Sequence, residues 1–135
     1  MIEKASALIM NKDNKLLVVK KKSNKTHYIL PGGKLYANES ADDALLREIG
    51  EELSVKVKEF NLVETFVEKS QFEDFSLRMY LFDTKISGTP VASSEIEEVK
   101  WIDIFSIDSR NDLATGITAH AVPYLKKRLS KKNER

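Results

Sequence analysis

The feature that most constrains this chain is a glycine turn followed directly by a strongly acidic helix, within residues 31–55. The turn, residues 31–33, reads Pro-Gly-Gly and follows the apolar run Tyr-Ile-Leu. Proline disfavours helix in the residue before it, and two glycines allow backbone that other residues avoid. Residues 38–40 offer a helix start, and Asp42 and Asp43 then place negative charge where the helix dipole favours it. The sequence therefore predicts a strand, a tight turn and a helix in close succession.

Three glutamates lie on one side of the predicted helix. Glu48, Glu51 and Glu52 are three and four residues apart, and Arg47 is four residues before Glu51. Repulsion between the acids costs stability, and a hard cation such as Mg²⁺ offsets that cost because it prefers oxygen ligands and substrate phosphates. Three such acids are usually just a solvated helix face. The diglycine turn at a fixed distance and the neighbouring arginine favour a metal site here.

These residues resemble the signature of the Nudix hydrolases. That signature reads G-x5-E-x7-R-E-U-x-E-E-x-G-U, where U is a bulky aliphatic residue, and it spans residues 33–55 of this chain. One position departs from it: Ser54 stands where the family has a glycine that normally ends the helix in a left-handed conformation. The serine puts the local turn in doubt but removes no ligand. The resemblance implies an α/β/α sandwich with a mixed β-sheet, formed as a single domain by residues 1–135.

The resemblance also implies a role for each acid of the helix. Glu48, Glu51 and Glu52 would bind Mg²⁺, with Mn²⁺ as an alternative, and the Gly32 carbonyl would be a further ligand. Glu48 and Glu51 would also serve as the general base or position it. Arg47 would orient Glu48 and Glu51 rather than contact the substrate.

Residues around the acidic helix complete the predicted site. Gly33 and Glu39 would shape the turn and hold it against the helix. Lys34 would reach a phosphate, although a solvated lysine is an equal alternative. The family often adds a glutamate outside the signature, for which Glu98 and then Glu95 are the candidates. Loop acids that simply face water are an equally good interpretation of these two residues.

Candidate substrate contacts lie on elements that border the expected pocket, since an aromatic ring can stack on a nucleobase. They are Tyr28, Leu30, Tyr80 and His120, the last of which opens the final helix. Judged alone, each is more typical of core or surface. A basic stretch at residues 20–25 is most simply solvated, and attraction of a polyphosphate is the alternative interpretation.

Apolar patterning outlines the remaining elements. Strands are predicted at residues 4–10, 15–20, 28–30, 55–57, 60–67, 75–86 and 98–102, with a last amphipathic helix at 120–129. The first two strands are expected to pair as a hairpin, and Trp101 is expected to anchor the core. Strands outnumber helices and at least one main helix connects two strands, which favours a mixed sheet with helices on both faces.

Composition narrows the class of protein. The chain has 135 residues, a formal net charge of +1 and no cysteine, which fits one domain and excludes disulfides and a thiolate metal site. The charge gives no case for nucleic-acid or membrane binding, and no apolar segment is long enough to span a bilayer. We expect a cytoplasmic protein that binds a small-molecule nucleotide. The sequence does not decide whether the protein forms a homodimer.

The resemblance implies hydrolysis of a pyrophosphate bond in a nucleoside diphosphate linked to another moiety. Markers of the NADH, ADP-ribose and diadenosine branches are absent after residue 55, including a proline between Pro31 and Pro90. A MutT-like nucleoside triphosphate pyrophosphatase, with oxidised nucleotides among its substrates, is therefore the expected function. The alternatives are an RNA 5′-pyrophosphohydrolase and a non-catalytic nucleotide-sensing module.

Overall fold

The computed structural model describes residues 1–70 and 74–133. Seven strands and two α-helices make up this part of the chain, and a π-helical turn at Gly116–Ala121 leads into the second helix. The strands and helices are β1 (Ile2–Leu8), β2 (Lys15–Lys21), β3 (Asn24–Ile29), β4 (Gly32–Lys34), α1 (Ala41–Leu53), β5 (Lys56–Lys69), β6 (Ser76–Ser87), β7 (Ile96–Asp103) and α2 (Val122–Asn133).

The strands form two sheets. One sheet has four strands in the order β4-β1-β6-β5, with β1 and β6 parallel and the other pairs antiparallel. The other sheet has three antiparallel strands in the order β3-β2-β7. The predicted mixed sheet is thus confirmed. The apolar pattern of the sequence did not predict that three of the strands form a second, antiparallel sheet.

The predicted hairpin of the first two strands is confirmed only next to its turn. A turn does join β1 to β2, but only the bridge between Met10 and Leu16 links them. Both edges of β1 are already occupied by β4 and β6, so its ladder hydrogen bonds are used within the other sheet. Strand β2 pairs instead with β3 and β7.

The two sheets lie between the two helices, which confirms the α/β/α sandwich. Successive residues of β2 alternate between the two cores, as the pleat of a strand requires. Leu17 and Val19 pack in the cluster that contains the apolar residues of α1, whereas Leu16 and Val18 pack in the cluster of the π-helical turn and α2. The acidic helix α1 is therefore held against one face of the sheets.

Several element bounds differ from those predicted. Strand β5 is continuous and passes through two bulges, and the last helical segment begins four residues earlier than expected, at Gly116. Trp101 is only partly buried and packs at the margin of the α1 cluster. Residues 71–73 occupy the position at which the diadenosine branch of the family tends to have a tyrosine, and they lie outside the described residues.

The helices of the described part of the chain are too short or too polar to cross a membrane.

Candidate active site

The diglycine turn brings backbone and acid together. Gly32 has a φ of 140°, and a Cβ atom there would lie 2.0 Å from the carbonyl oxygen of Ala5, so a residue with a side chain does not fit. Its N–H donates a 2.9 Å hydrogen bond to Oε1 of Glu52. Gly33 lies directly against the carboxylate of Glu48. The turn therefore contacts two of the three carboxylates that were predicted to bind the metal ion.

Helix α1 has well-formed ends that fix where its acids lie. Ser40 caps the start by accepting from the N–H of Asp43, at 3.1 Å. Ser54 ends the helix in the left-handed conformation, with φ 55° and ψ 39°. The serine thus adopts the backbone of the family glycine, at some cost in strain.

Arg47 ties the turn to the helix. Its Nε and Nη2 donate to both oxygens of Glu39, each at 2.9 Å, and Nη2 also donates to the Lys34 carbonyl at 2.9 Å. Nη1 donates to Glu48 at 2.7 Å and lies 3.5 Å from Glu51. Hydrogen bonding from Arg47 lowers the pKa of Glu39 to about 2, so Glu39 stays ionised as an anchor for the turn.

Glu52 is the buried acid of the site. It is 4% exposed, and burial is the main cause that raises its pKa from 4.5 to about 7. The Gly32 N–H and the charge of Lys21 oppose that rise, whereas Glu48 and Glu95 add to it. A buried carboxylate among other acids is destabilised when charged, so this position favours a cation beside it.

The acids share one cavity of about 450 Å³, which we call the acidic cavity. Its charged lining residues are Glu48, Glu51, Glu52, Glu95, Lys4, Lys21 and Lys34. Lys4 and Lys21 were not predicted as site residues; only the basic run at residues 20–25 gave a signal, and Lys4 is brought in by the pairing of β1 with β4. Carboxylates and ammonium groups facing one space suit a metal ion together with a phosphate chain.

The acidic cavity contains Glu95 but not Glu98. Glu98 lies within β7, opposite Lys20, and accepts a 2.5 Å hydrogen bond from the hydroxyl of Tyr28. Glu95 lies in the loop before β7, beside Ser94 on the cavity wall. Of the two candidates, Glu95 is thus the one that lines the acidic cavity.

The loop that carries Glu95 is fastened to the end of α1. The N–H groups of Val91 and Ser93 donate to the carbonyls of Leu53 and Glu52, each at 3.0 Å. The hydroxyls of Ser54 and Ser93 are 2.7 Å apart. This second contact depends on the serine that replaces the family glycine.

The donor set of the acidic cavity fits a hard divalent cation in chemical kind, since it consists of carboxylate oxygens around a shared space. As the side chains stand, no three acids or histidines of the described residues converge closely enough to form a finished metal cage. Glu48 is engaged by Arg47 and Glu52 by Gly32, so the acids are held beside the cavity rather than gathered at one point.

A second cavity, of about 110 Å³, adjoins the acidic cavity at Lys4, which lines both. We call it the apolar cavity, because Leu30, Leu77, Met79 and Ile117 form much of its wall. Glu68 and Thr115 contribute polar groups at its edge. Of the predicted substrate contacts, Leu30 lines this cavity and Lys34 lines the acidic one.

The other three predicted substrate contacts line neither cavity. Tyr28 is 4% exposed, and Lys20 lies over its ring at 4.4 Å, so that face is covered. Tyr80 donates a 2.7 Å hydrogen bond to Glu3. His120 is hydrogen-bonded to Glu64 and stacks on Phe66, with ring centroids 3.5 Å apart.

Comparison with known proteins identifies the family of this chain. The model of the NUDIX domain matches residues 3–127. An ADP-ribose pyrophosphatase of Methanocaldococcus jannaschii is 31% identical over 100 residues, which are 71% of this chain and 59% of that protein. The chain thus spans about three fifths of the length of this relative. The chain belongs to the Nudix family.

Solved structures show the same fold. The MutT protein from Methanosarcina mazei Go1 has a TM-score of 0.73 at 20% identity, covering 99% of this chain and 96% of its own. The E. coli ORF135 protein has a TM-score of 0.73 at 22% identity, covering 100% of this chain and 93% of its own.

Proposed function

We propose that this protein is a Mg²⁺-dependent pyrophosphohydrolase, with Mn²⁺ as an alternative ion, that cleaves a phosphoanhydride bond in a nucleotide. The observation that carries the proposal is the acidic cavity, in which four glutamates and three lysines face one space beside an apolar cavity. Such a pair of cavities suits a ligand with a charged phosphate chain and a planar base.

In this proposal the lysines bind the substrate. Lys21 and Lys34 attract the phosphate oxygens, and Lys4, at the junction, binds the part of the chain nearest the base. The apolar cavity accepts an edge of the base between Leu30, Met79 and neighbouring apolar side chains. This arrangement directs the phosphate chain across the acid-bearing side of α1.

Glu48, Glu51, Glu52 and the Gly32 carbonyl would hold the metal ion. When bound, Mg²⁺ neutralises phosphate charge and makes a water molecule more acidic. Arg47 and the Gly32 N–H hold Glu48 and Glu52 in fixed directions. Glu95 is exposed at the wall of the acidic cavity and is not among these ligands, so in this proposal its carboxylate takes the proton of the attacking water.

For the substrate, we propose a nucleoside triphosphate cleaved to a monophosphate and pyrophosphate, in the manner expected of a MutT-like enzyme. The small apolar cavity that adjoins the acidic cavity favours a ligand with one base. ADP-ribose is the second candidate, because the relative aligned over 100 residues is an ADP-ribose pyrophosphatase.

A hydrolysis screen with product identification tests both levels of the proposal. Triphosphates, oxidised triphosphates, ADP-ribose, dinucleotides and triphosphorylated RNA are compared with Mg²⁺ and with chelator. We expect a triphosphate to have the highest kcat/KM and chelator to abolish turnover. ADP-ribose ahead of every triphosphate would overturn the substrate class only, whereas tight binding without any turnover would support the sensing module. An RNA substrate is favoured if oligonucleotide binding weakens steeply with salt.

A further inference from the structure

A third cavity, of about 590 Å³, lies where the two sheets meet, and it shares no lining residue with the acidic or apolar cavity. We call it the Trp101 cavity. Trp101 lies on β7 of the three-stranded sheet, whereas Lys58 and Ile86 lie on β5 and β6 of the four-stranded sheet. Met10, just after β1, lies between the two sheets. The cavity thus opens between the two sheets, beside the bridge from Met10 to Leu16 that links them.

The floor of the Trp101 cavity is apolar and includes an aromatic ring. Ile9 is buried, and Met10, Ile86 and Trp101 are each partly buried. Trp101 therefore presents part of its indole to the cavity instead of filling the core. A partly exposed indole beside aliphatic side chains suits a flat ring.

The rim of the cavity is basic. Lys12 comes from the β1–β2 turn, Lys58 from β5 and Lys85 from β6, and none of the described residues that line the cavity is an acid. Lys58 lies in the bulge of β5 between Val57 and Glu59, where an extra residue turns its side chain away from the regular ladder.

Two of these lysines are uncompensated. Lys85 lies 3.5 Å from Glu59, whereas Lys12 and Lys58 form no ion pair within residues 1–70 and 74–133. Like charges around one cavity repel, and an anion held among them removes that repulsion. The basic rim and the indole of Trp101 together suit one ligand that carries both an anionic group and a flat ring.

We propose that the Trp101 cavity binds a nucleoside monophosphate, with its base on Trp101 and its phosphate among Lys12, Lys58 and Lys85. The cavity volume lies within the usual range for small-molecule sites, roughly 300–1,000 Å³. Three lysines surround this opening, and the whole chain carries a net charge of only +1. A single nucleotide therefore fits better than an extended strand. This site does not depend on the proposed function.

The chain supplies its own probe, because Trp101 is its only tryptophan. The full-length protein is titrated in chelator, which removes any divalent ion, and the intrinsic fluorescence is followed. Adenosine monophosphate should change the emission in a saturable way. Adenosine lacks the phosphate and inorganic phosphate lacks the ring. Each should therefore bind at least about tenfold more weakly than adenosine monophosphate.

Matched charge variants locate the site. Lys58→Gln and Lys12→Gln should each raise the Kd for the monophosphate about tenfold. Lys127→Gln makes the same charge change at an exposed position on α2 and should leave the Kd unchanged. The indole N–H signal of Trp101 should shift on titration in NMR spectra, while the amide signals of Gly32 and Gly33 should stay in place.

Three outcomes would overturn the proposal. The first is an absence of saturable fluorescence change at millimolar monophosphate. The second is an equal loss of affinity in Lys58→Gln and Lys127→Gln. The loss would then come from the lower net charge of the protein and not from a contact at the Trp101 cavity. The third is a single-stranded oligonucleotide that binds far more tightly than the monophosphate and weakens steeply with salt, because the ligand would then be a nucleic acid.

Discussion

Gly33 lies so close to Glu48 that a Cβ atom at position 33 would be 2.4 Å from Cδ of the glutamate and 2.6–2.7 Å from its two oxygens. A heavy atom does not fit at such a distance. The glycine therefore keeps open the space in which the Glu48 carboxylate lies, between the turn and Arg47.

Gly33→Ala should displace the Glu48 carboxylate and lower kcat/KM about a hundredfold, because a small misplacement of a catalytic group has effects of that size. The protein should remain folded, losing about 1 kcal/mol, since the displaced atoms end a flexible side chain. Gly50→Ala is the matched control: its Cβ would meet only the Val55 carbonyl oxygen, at 4.0 Å. It should keep full activity and gain stability from better helix propensity. Equal activity in the two variants would contradict this role of Gly33.

Glu52→Gln should lower Mg²⁺-dependent turnover at least about a hundredfold, since a neutral amide replaces a charged ligand. The fold should persist because the amide oxygen can still accept the hydrogen bond from Gly32. Steady-state kinetics and circular dichroism check the two halves of the prediction. Glu97→Gln, at an exposed position, is the control. A Glu52→Gln protein with near-normal rates would remove Glu52 from the metal site.

Without metal, stability should fall as pH rises from about 4.5 to about 7. The pKa of Glu52 is raised to about 7 in the folded protein from an ordinary value of 4.5. Between these values the folded state binds more protons than the unfolded state, so raising the pH favours unfolding, by roughly 3 kcal/mol at most.

Urea unfolding in chelator at a series of pH values measures this slope. Glu52→Gln should flatten it, because the titrating group is gone. Glu39, whose pKa is held at about 2, changes its protonation only below this window. An unchanged slope in Glu52→Gln would assign the pH dependence to other groups.

Glu95→Gln should lower kcat about a hundredfold and alter the pH profile of the rate, as expected for a residue that takes a proton. Glu98→Gln should leave both nearly unchanged, because Glu98 lies outside the acidic cavity and the amide can still accept from Tyr28. If Glu98→Gln instead has the larger effect, the order predicted from the sequence was right and the order read from the cavities is wrong.

The local part of the site could be predicted from the sequence. The spacing of Glu48, Glu51 and Glu52 along a helix follows from short-range geometry. The clash that excludes a side chain at Gly32 involves Ala5 of β1 and could not be predicted in this way. The order of strands across the sheets could not be predicted in this way, because strand partners lie far apart in the chain. Lys4 became a neighbour of the acids only through the pairing of β1 with β4.

The choice between Glu95 and Glu98 shows the limit at the level of one residue. Both acids precede Trp101, and the sequence does not state where the strand begins. Because β7 starts at Ile96, Glu98 becomes part of the ladder and its side chain reaches Tyr28, while Glu95 stays in the loop at the cavity. His120 is a similar case, since its hydrogen bond to Glu64 could not be foreseen without the position of β5.

Ser54 couples two parts of the molecule that a glycine would leave less firmly joined. Its hydroxyl adds a side-chain link between the last turn of α1 and Ser93, two residues before Glu95. A shift of the helix end would therefore carry Glu52 and Glu95 together and preserve their mutual spacing. In this chain, the residue that departs from the family signature acts as a brace between two acids that lie more than forty residues apart in sequence.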